Sequence, residues 1–241
     1  VEDYVLLEIQ PERIGKTELI ILNILANYNW DRPLYYVTPS CDCQFGMEHW
    51  SQYNGFCYKF VPIFNDNPRE STVIDTEKMY ILLMSTFRFD SLAKDGVYYD
   101  YQNVYTFSAV IPVREMFYKT ALALYDKGDT KRANDLLVRC FECMPAANFP
   151  YNISWLRSIN EVSVLKMVEL LLKGGNEGTG VGMARRFSDE TIALMDYVSA
   201  TYDLSEGNKE LAENNVLLFQ YLIDVLNGNG QQALAQELSQ E

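Results

Sequence analysis

The sequence predicts a mostly helical α+β chain with two parts. A small α/β subdomain over residues 1–100 carries a short parallel sheet, and paired antiparallel helices fill residues 101–241. Three observations lead there. Short aromatic and β-branched runs alternate with helical segments before residue 100. Beyond residue 110 apolar residues recur every three or four positions. Gly-rich or Pro-containing breaks then divide that region into helix pairs.

The elements follow in chain order. Tyr4–Ile9 reads as a strand. Residues 18–28 are apolar around most of a helix, with Asn23 and Asn27 as the only polar stripe, so the helix is expected to be buried on nearly every side. It is too short to span a bilayer, which needs about 20 apolar residues. Pro33 ends it and pushes Arg32 toward an extended conformation. Leu34–Thr38 reads as a short strand, residues 46–53 as a short helix and Phe56–Ile63 as another strand. Strands alternating with helices imply parallel pairing through right-handed crossovers. Residues 64–72 are turn-rich, and Asp75 is placed to cap a helix over 76–86.

In the second part, Val113, Phe117, Ala121 and Leu124 form one helical stripe, and Gly128-Asp129 breaks it. Ala133, Leu136, Leu137, Cys140, Phe141 and Met144 line the partner helix, which Pro145 ends. The Ala133-to-Pro145 spacing is that of the second helix of a tetratricopeptide-like repeat. A second hairpin pairs 156–173 with 182–202, and a third pairs 208–227 with 231–239. The units are longer than the standard repeat, yet three stacked hairpins suffice for a solenoid with a face suited to protein partners.

Composition narrows the function. The apolar share of 48% and aromatic share of 13% fit a folded domain, and 241 residues hold one or two. The net charge of −13, from 33 acidic and 20 basic residues with no basic cluster, argues against nucleic acid and anionic membrane as partners. The chain opens at Val1 with no charged leader or apolar signal core, so an upstream portion is expected. No segment reads as a transmembrane helix.

No motif names a reaction. Cys41, Cys43, His49 and Cys57 offer four soft ligands, but their spacing matches no common zinc module; a disulfide from Cys41 or Cys43 to Cys57, or unpaired thiols, are the alternatives. With five cysteines, one stays free unless it pairs between chains. Cys140-x-x-Cys143 sits on an apolar stripe and reads as core rather than redox centre. His49, the only histidine, has no orienting acid by spacing, so covalent catalysis is not expected. The five glycines between Gly174 and Gly182 lack the following Lys-Ser/Thr of a phosphate loop and read as a flexible linker between helices. Adjacent Asp189 and Glu190 on a helix point apart, a poor glycosidase pair. Tyr98, Tyr99 and Tyr101, with Tyr105, form either a carbohydrate-stacking platform or ordinary packing. Arg32 either holds its corner through carbonyls or Asp31, or binds a ligand. No metal, cofactor or catalytic residue is assigned.

One resemblance adds context. The run Ile14-Gly15-Lys16-Thr17-Glu18-Leu19-Ile20 through Asn29-Trp30-Asp31-Arg32-Pro33-Leu34-Tyr35-Tyr36 is its first anchor. Gly55–Ile63 is a second, and the helical hairpin ending at Met144-Pro145 a third. Over roughly residues 1–170 they resemble the C-terminal region of bacterial multispanning membrane proteins, a family of unknown function similar to C-superfold glycosyltransferases and to a protein O-mannosyltransferase. The resemblance implies a non-catalytic domain on the extracytoplasmic, periplasmic face of the cytoplasmic membrane, attached to a membrane-spanning whole and positioning an acceptor protein or another protein partner. The transfer chemistry would lie in membrane loops outside this chain. Where that family shows basic residues after its Tyr-x-Asp segment, this chain has Asn103-Val104-Tyr105-Thr106. The alternative is an independent carbohydrate-binding domain or enzyme, with a site at Trp30, Arg32 and the tyrosine cluster and a glycan as ligand.

Overall fold

The computed structural model describes residues 4–7, 14–37, 47–66, 72–97, 110–153, 159–201 and 206–240. The chain divides into two compact units, Val1–Leu82 and Leu83–Glu241. The boundary expected at 100/101 falls outside the described residues.

The first unit is a four-stranded sheet with helices. Helix α1 (Lys16–Ala26) starts at Gly15, whose N–H donates to the Glu18 carboxylate at 2.8 Å. Strands β1 (Tyr35–Tyr36), β2 (Ser51–Asn54), β3 (Cys57–Phe60) and β4 (Thr72–Ile74) lie in the order β1-β3-β2-β4. The sheet is mixed rather than parallel: β3 runs antiparallel to β1 and β2, and only β2 and β4 are parallel. The helix expected over 46–53 is a single 3₁₀ turn, Met47–Trp50, followed by β2. Gly55 at φ 73° explains the difference: it makes a two-residue turn that folds β2 onto β3, and cross-strand pairing overrides local helical preference. Pro62, which has no N–H to give a ladder, follows the end of β3. Tyr4–Leu7 forms no strand; this segment packs instead through Val5 and Leu7, and the Leu6 carbonyl accepts the Trp50 indole N–H at 2.9 Å.

The core of this unit is Met47, Trp50 and Phe60, with Ile21, Leu25 and Tyr28 of the α1 side packed on it. α1 is not buried all round. No residue of it is fully buried, and Leu19, Ile20 and Ile24 are 59%, 62% and 47% exposed. A sheet of strands two to four residues long gives the helix one face to cover, and the other stays outside. Asp75 caps α2 (Thr76–Ile81) by accepting the Lys78 N–H at 3.1 Å, as its sequence implies, and a π-helical turn, Leu82–Thr86, follows. Met79 is fully buried, and its sulfur accepts the Gly55 N–H at 3.0 Å.

The second unit is helical. α3 (Val110–Asp126) and α4 (Thr130–Cys143) form the first hairpin. Gly128 turns the chain at φ 83°, and Asp129 caps α4 by accepting the Arg132 N–H. α5 (Ile159–Lys173) pairs with α6 (Glu177–Thr201), and α7 (Glu206–Gly228) with α8 (Gln232–Leu238). Successive first helices also pack on one another, α3 on α5 and α5 on α7, while α6 packs on α7. The predicted stripes are the buried ones: Val113, Phe117, Ala121 and Leu124 in α3, and Ala133, Leu136, Leu137 and Cys140 in α4.

The glycine-rich stretch is shorter as a linker than its composition implies. Gly174–Asn176 makes the turn, with Gly175 at φ 77°, and Gly178, Gly180 and Gly182 lie inside α6. Glycine lowers helix stability by about 1 kcal/mol per residue against alanine, so packing must hold this end. At Gly180 a Cβ would lie 2.8 Å from Leu172 Cδ2, which shows how closely α6 approaches α5 there.

Candidate functional site

The Asn29–Tyr36 corner is built by backbone and tyrosine rather than by Arg32. α1 stops at Asn27, whose side-chain amide donates to the Asn23 carbonyl at 2.8 Å. The Tyr28 hydroxyl then ties both sides of the turn, donating to the Arg32 carbonyl at 2.7 Å and accepting the Leu34 N–H at 3.2 Å. Asn29 holds Asp31 through its side-chain amide at 2.6 Å and through the Asp31 N–H at 3.3 Å. The Arg32 side chain is exposed and makes no hydrogen bond or ion pair among the described residues; at the described corner it is the Arg32 carbonyl, bound by Tyr28, that closes the turn. Asp31 is taken by Asn29 instead.

Trp30 is the unusual member. Its φ of 66° is left-handed, a conformation that costs a bulky L-residue about 1–2 kcal/mol. The strain is offset by ring packing. The indole lies parallel to Phe60, with centroids 5.5 Å apart and 8° between planes, and Tyr28 leans on it at 4.6 Å. Trp30 remains 44% exposed. A direct consequence is a reversed glycine effect. Trp30→Gly should melt about 1 kcal/mol more stable than Trp30→Ala by calorimetry, the opposite of the order at an ordinary position. Equal melting would show that the backbone relaxes on losing the indole.

These rings wall a cavity of about 570 Å³. Leu22, Leu25 and Ala26 of α1 line one side, Tyr4, Val5 and Leu7 another, and Phe60 and Pro62 the sheet side, with Tyr28 and Trp30 at the corner. No acid, base or histidine lines it among the described residues. Arg32 is not brought into it, and Tyr98, Tyr99 and Tyr101 lie outside the described residues, as do Cys41 and Cys43.

The other sequence candidates have structural surroundings. His49 Nδ1 pairs with the Asn65 carbonyl at 2.9 Å, and its ring stacks on Phe64. Cys57 is a free thiol donating to the Asn54 carbonyl at 3.3 Å, and burial pushes its pKa up. No group of three or more metal-capable side chains occurs among the described residues. Cys140 and Cys143 are buried free thiols. Burial pushes Cys140 up to about 12 and Cys143 in the same direction, so neither supplies thiolate near neutrality. Iodoacetamide should leave both unmodified in the native protein and alkylate both in guanidinium, as read by mass spectrometry. Native alkylation would place them at a reactive surface.

Sequence reasoning missed a buried polar cluster in the helical unit. Arg114, with no exposed surface, donates to the Phe149 carbonyl at 2.6 Å, the Pro150 carbonyl at 3.1 Å and Asn160 Oδ1 at 2.7 Å. Glu190 accepts the backbone N–H groups of Tyr151 and Asn152 at 2.6 and 3.0 Å. Asn152 in turn donates to Thr191 and Asn215. The residues joining the first hairpin to the second are therefore gripped by α3, α5, α6 and α7. The signal available was an arginine placed between Val113 and Phe117 on an apolar stripe. Asp189 and Glu190 form no catalytic pair, because the Glu190 carboxylate is committed to these amides and to Arg186.

Comparison with known families bears on the first unit. Residues 1–78 match TMEM260-associated domain 2. The match fits a domain of a membrane-associated protein family, and it covers nearly the whole of the unit that carries the Trp30 corner. No curated protein and no solved structure matches the chain. Among the described residues no helix is long and apolar enough to cross a membrane.

Proposed function

We propose that this chain is a non-catalytic, extracytoplasmic domain of a membrane glycosyltransferase-like protein, and that its helical unit positions an acceptor protein or partner subunit. The observation that carries this reading is the packing of α3 on α5 and of α5 on α7, as well as of each on its own hairpin partner. Stacking of that kind builds tetratricopeptide-like arrays, whose extended faces bind proteins. The match of residues 1–78 to a domain of a membrane-associated family supports attachment to a membrane protein. Among the described residues, Glu190 is committed to backbone amides and Cys140 has a high thiol pKa, which supports a non-catalytic role for the helical unit.

The test removes residues 83–241 from the membrane protein that contains them. Sugar transfer to folded acceptor proteins should be lost, while transfer to a short acceptor peptide persists. Unchanged modification of folded acceptors would refute the positioning role.

A further inference from the structure

We infer that the corner cavity of the first unit binds the hydrocarbon tail of a neutral lipid. The size argues for a ligand rather than a packing flaw. At about 570 Å³ this partly open cleft lies within the size range of small-molecule sites. Its chemistry argues against a sugar. A carbohydrate site needs polar groups around its aromatic platform. Of the described lining side chains only Tyr4, Tyr28 and Trp30 carry a polar atom; the Tyr28 hydroxyl already has the Arg32 carbonyl and the Leu34 N–H as partners, and one face of the Trp30 ring lies on Phe60.

The same description selects an uncharged ligand. The described lining residues supply no cation for a phosphate or carboxylate, and a chain of net charge −13 disfavours anionic lipid. Two observations point to lipid as the source of the hydrocarbon. The cavity belongs to the stretch that matches a domain of a membrane-associated family. The helix forming one wall also exposes Leu19, Ile20 and Ile24 on its outer side. The left-handed Trp30 backbone is the strained feature of the site, set where a ligand would contact the indole. This inference is independent of the positioning role of the helical unit.

The experiment uses the whole 241-residue chain and Nile red, an uncharged apolar dye. The dye should bind saturably with blue-shifted emission and be displaced by monolauroylglycerol, but not by methyl α-mannoside. Ala26→Trp, at an exposed position on the cavity wall, should weaken dye binding about tenfold or more with helicity and Tm unchanged. Should that variant fail to fold, Leu22→Phe fills the same space from the next turn. Non-saturable binding, full binding by a folded cavity-filling variant, or no displacement by monolauroylglycerol would each overturn the inference. So would displacement by the mannoside.

Discussion

Arg114→Ala should destabilise the helical unit by about 3–5 kcal/mol, because three neutral acceptors lose a charged donor at about 1–3 kcal/mol each and local relaxation offsets part of that sum. The guanidinium reaches the Phe149 and Pro150 carbonyls and Asn160 from a site with no exposed surface, and it lies 5.5 Å from the Tyr151 ring. Alanine leaves those acceptors without their donor and opens a cavity at a fully buried position, so both desolvation and lost contacts count. Arg114→Lys should rescue little. A single ammonium cannot reach acceptors on two sides as the planar fork does. Urea unfolding followed by far-UV circular dichroism reads the effect. A loss below about 1 kcal/mol, the worth of one ordinary hydrogen bond, would mean that the segment at Phe149–Ile153 is held by its apolar contacts alone.

Glu190→Ala should destabilise the same unit by about 2–4 kcal/mol, because it takes the acceptor from two adjacent part-buried N–H groups at about 1–3 kcal/mol each. Its ion pair with Arg186 adds little, since that arginine is about half exposed. The more telling measurement is the double variant. Arg114 and Glu190 do not bond to each other, yet both hold the same few residues of chain. Once one is lost and the segment loosens, the other has less to hold. Arg114→Ala with Glu190→Ala should therefore fall short of additivity by about 0.5–3 kcal/mol. Full additivity would show that the two ends of the segment are anchored independently.

The contrast between the two units shows what kind of information a sequence carries. Helix stripes such as Val113, Phe117, Ala121 and Leu124 repeat within one element, so their period can be read directly. The breaks at Gly128-Asp129 and at Gly228 to Gly230 are equally local, because a left-handed glycine or an aspartate cap acts on its own neighbours. Strand partners are not local. Nothing in Ser51–Asn54 or in Thr72–Ile74 alone says that they lie side by side and parallel, and the sheet was expected to be parallel throughout. The burial of α1 departs from its sequence pattern for a related reason. An apolar helix shows how much surface it offers, but the neighbouring strands decide how much of it is covered.

The candidate site was legible in the same uneven way. Trp30 stood out as part of an odd polar-aromatic corner, whereas the exchange of roles between the Arg32 side chain and its carbonyl depends on where the Tyr28 hydroxyl falls after folding. The amino-acid sequence by itself determined the helix pairs, their turns, the capping of α2 and α4, and the acidic surface, since each follows from residues within a few positions or from composition. Only the tertiary structure decided the mixed sheet, the half-covered α1, the apolar cavity beneath Trp30 and the grip of Arg114 on the segment after Phe149. Those features join residues far apart in the chain, Arg114 and Asn160 for instance at 46 positions, and contacts at that range leave no periodic trace along it.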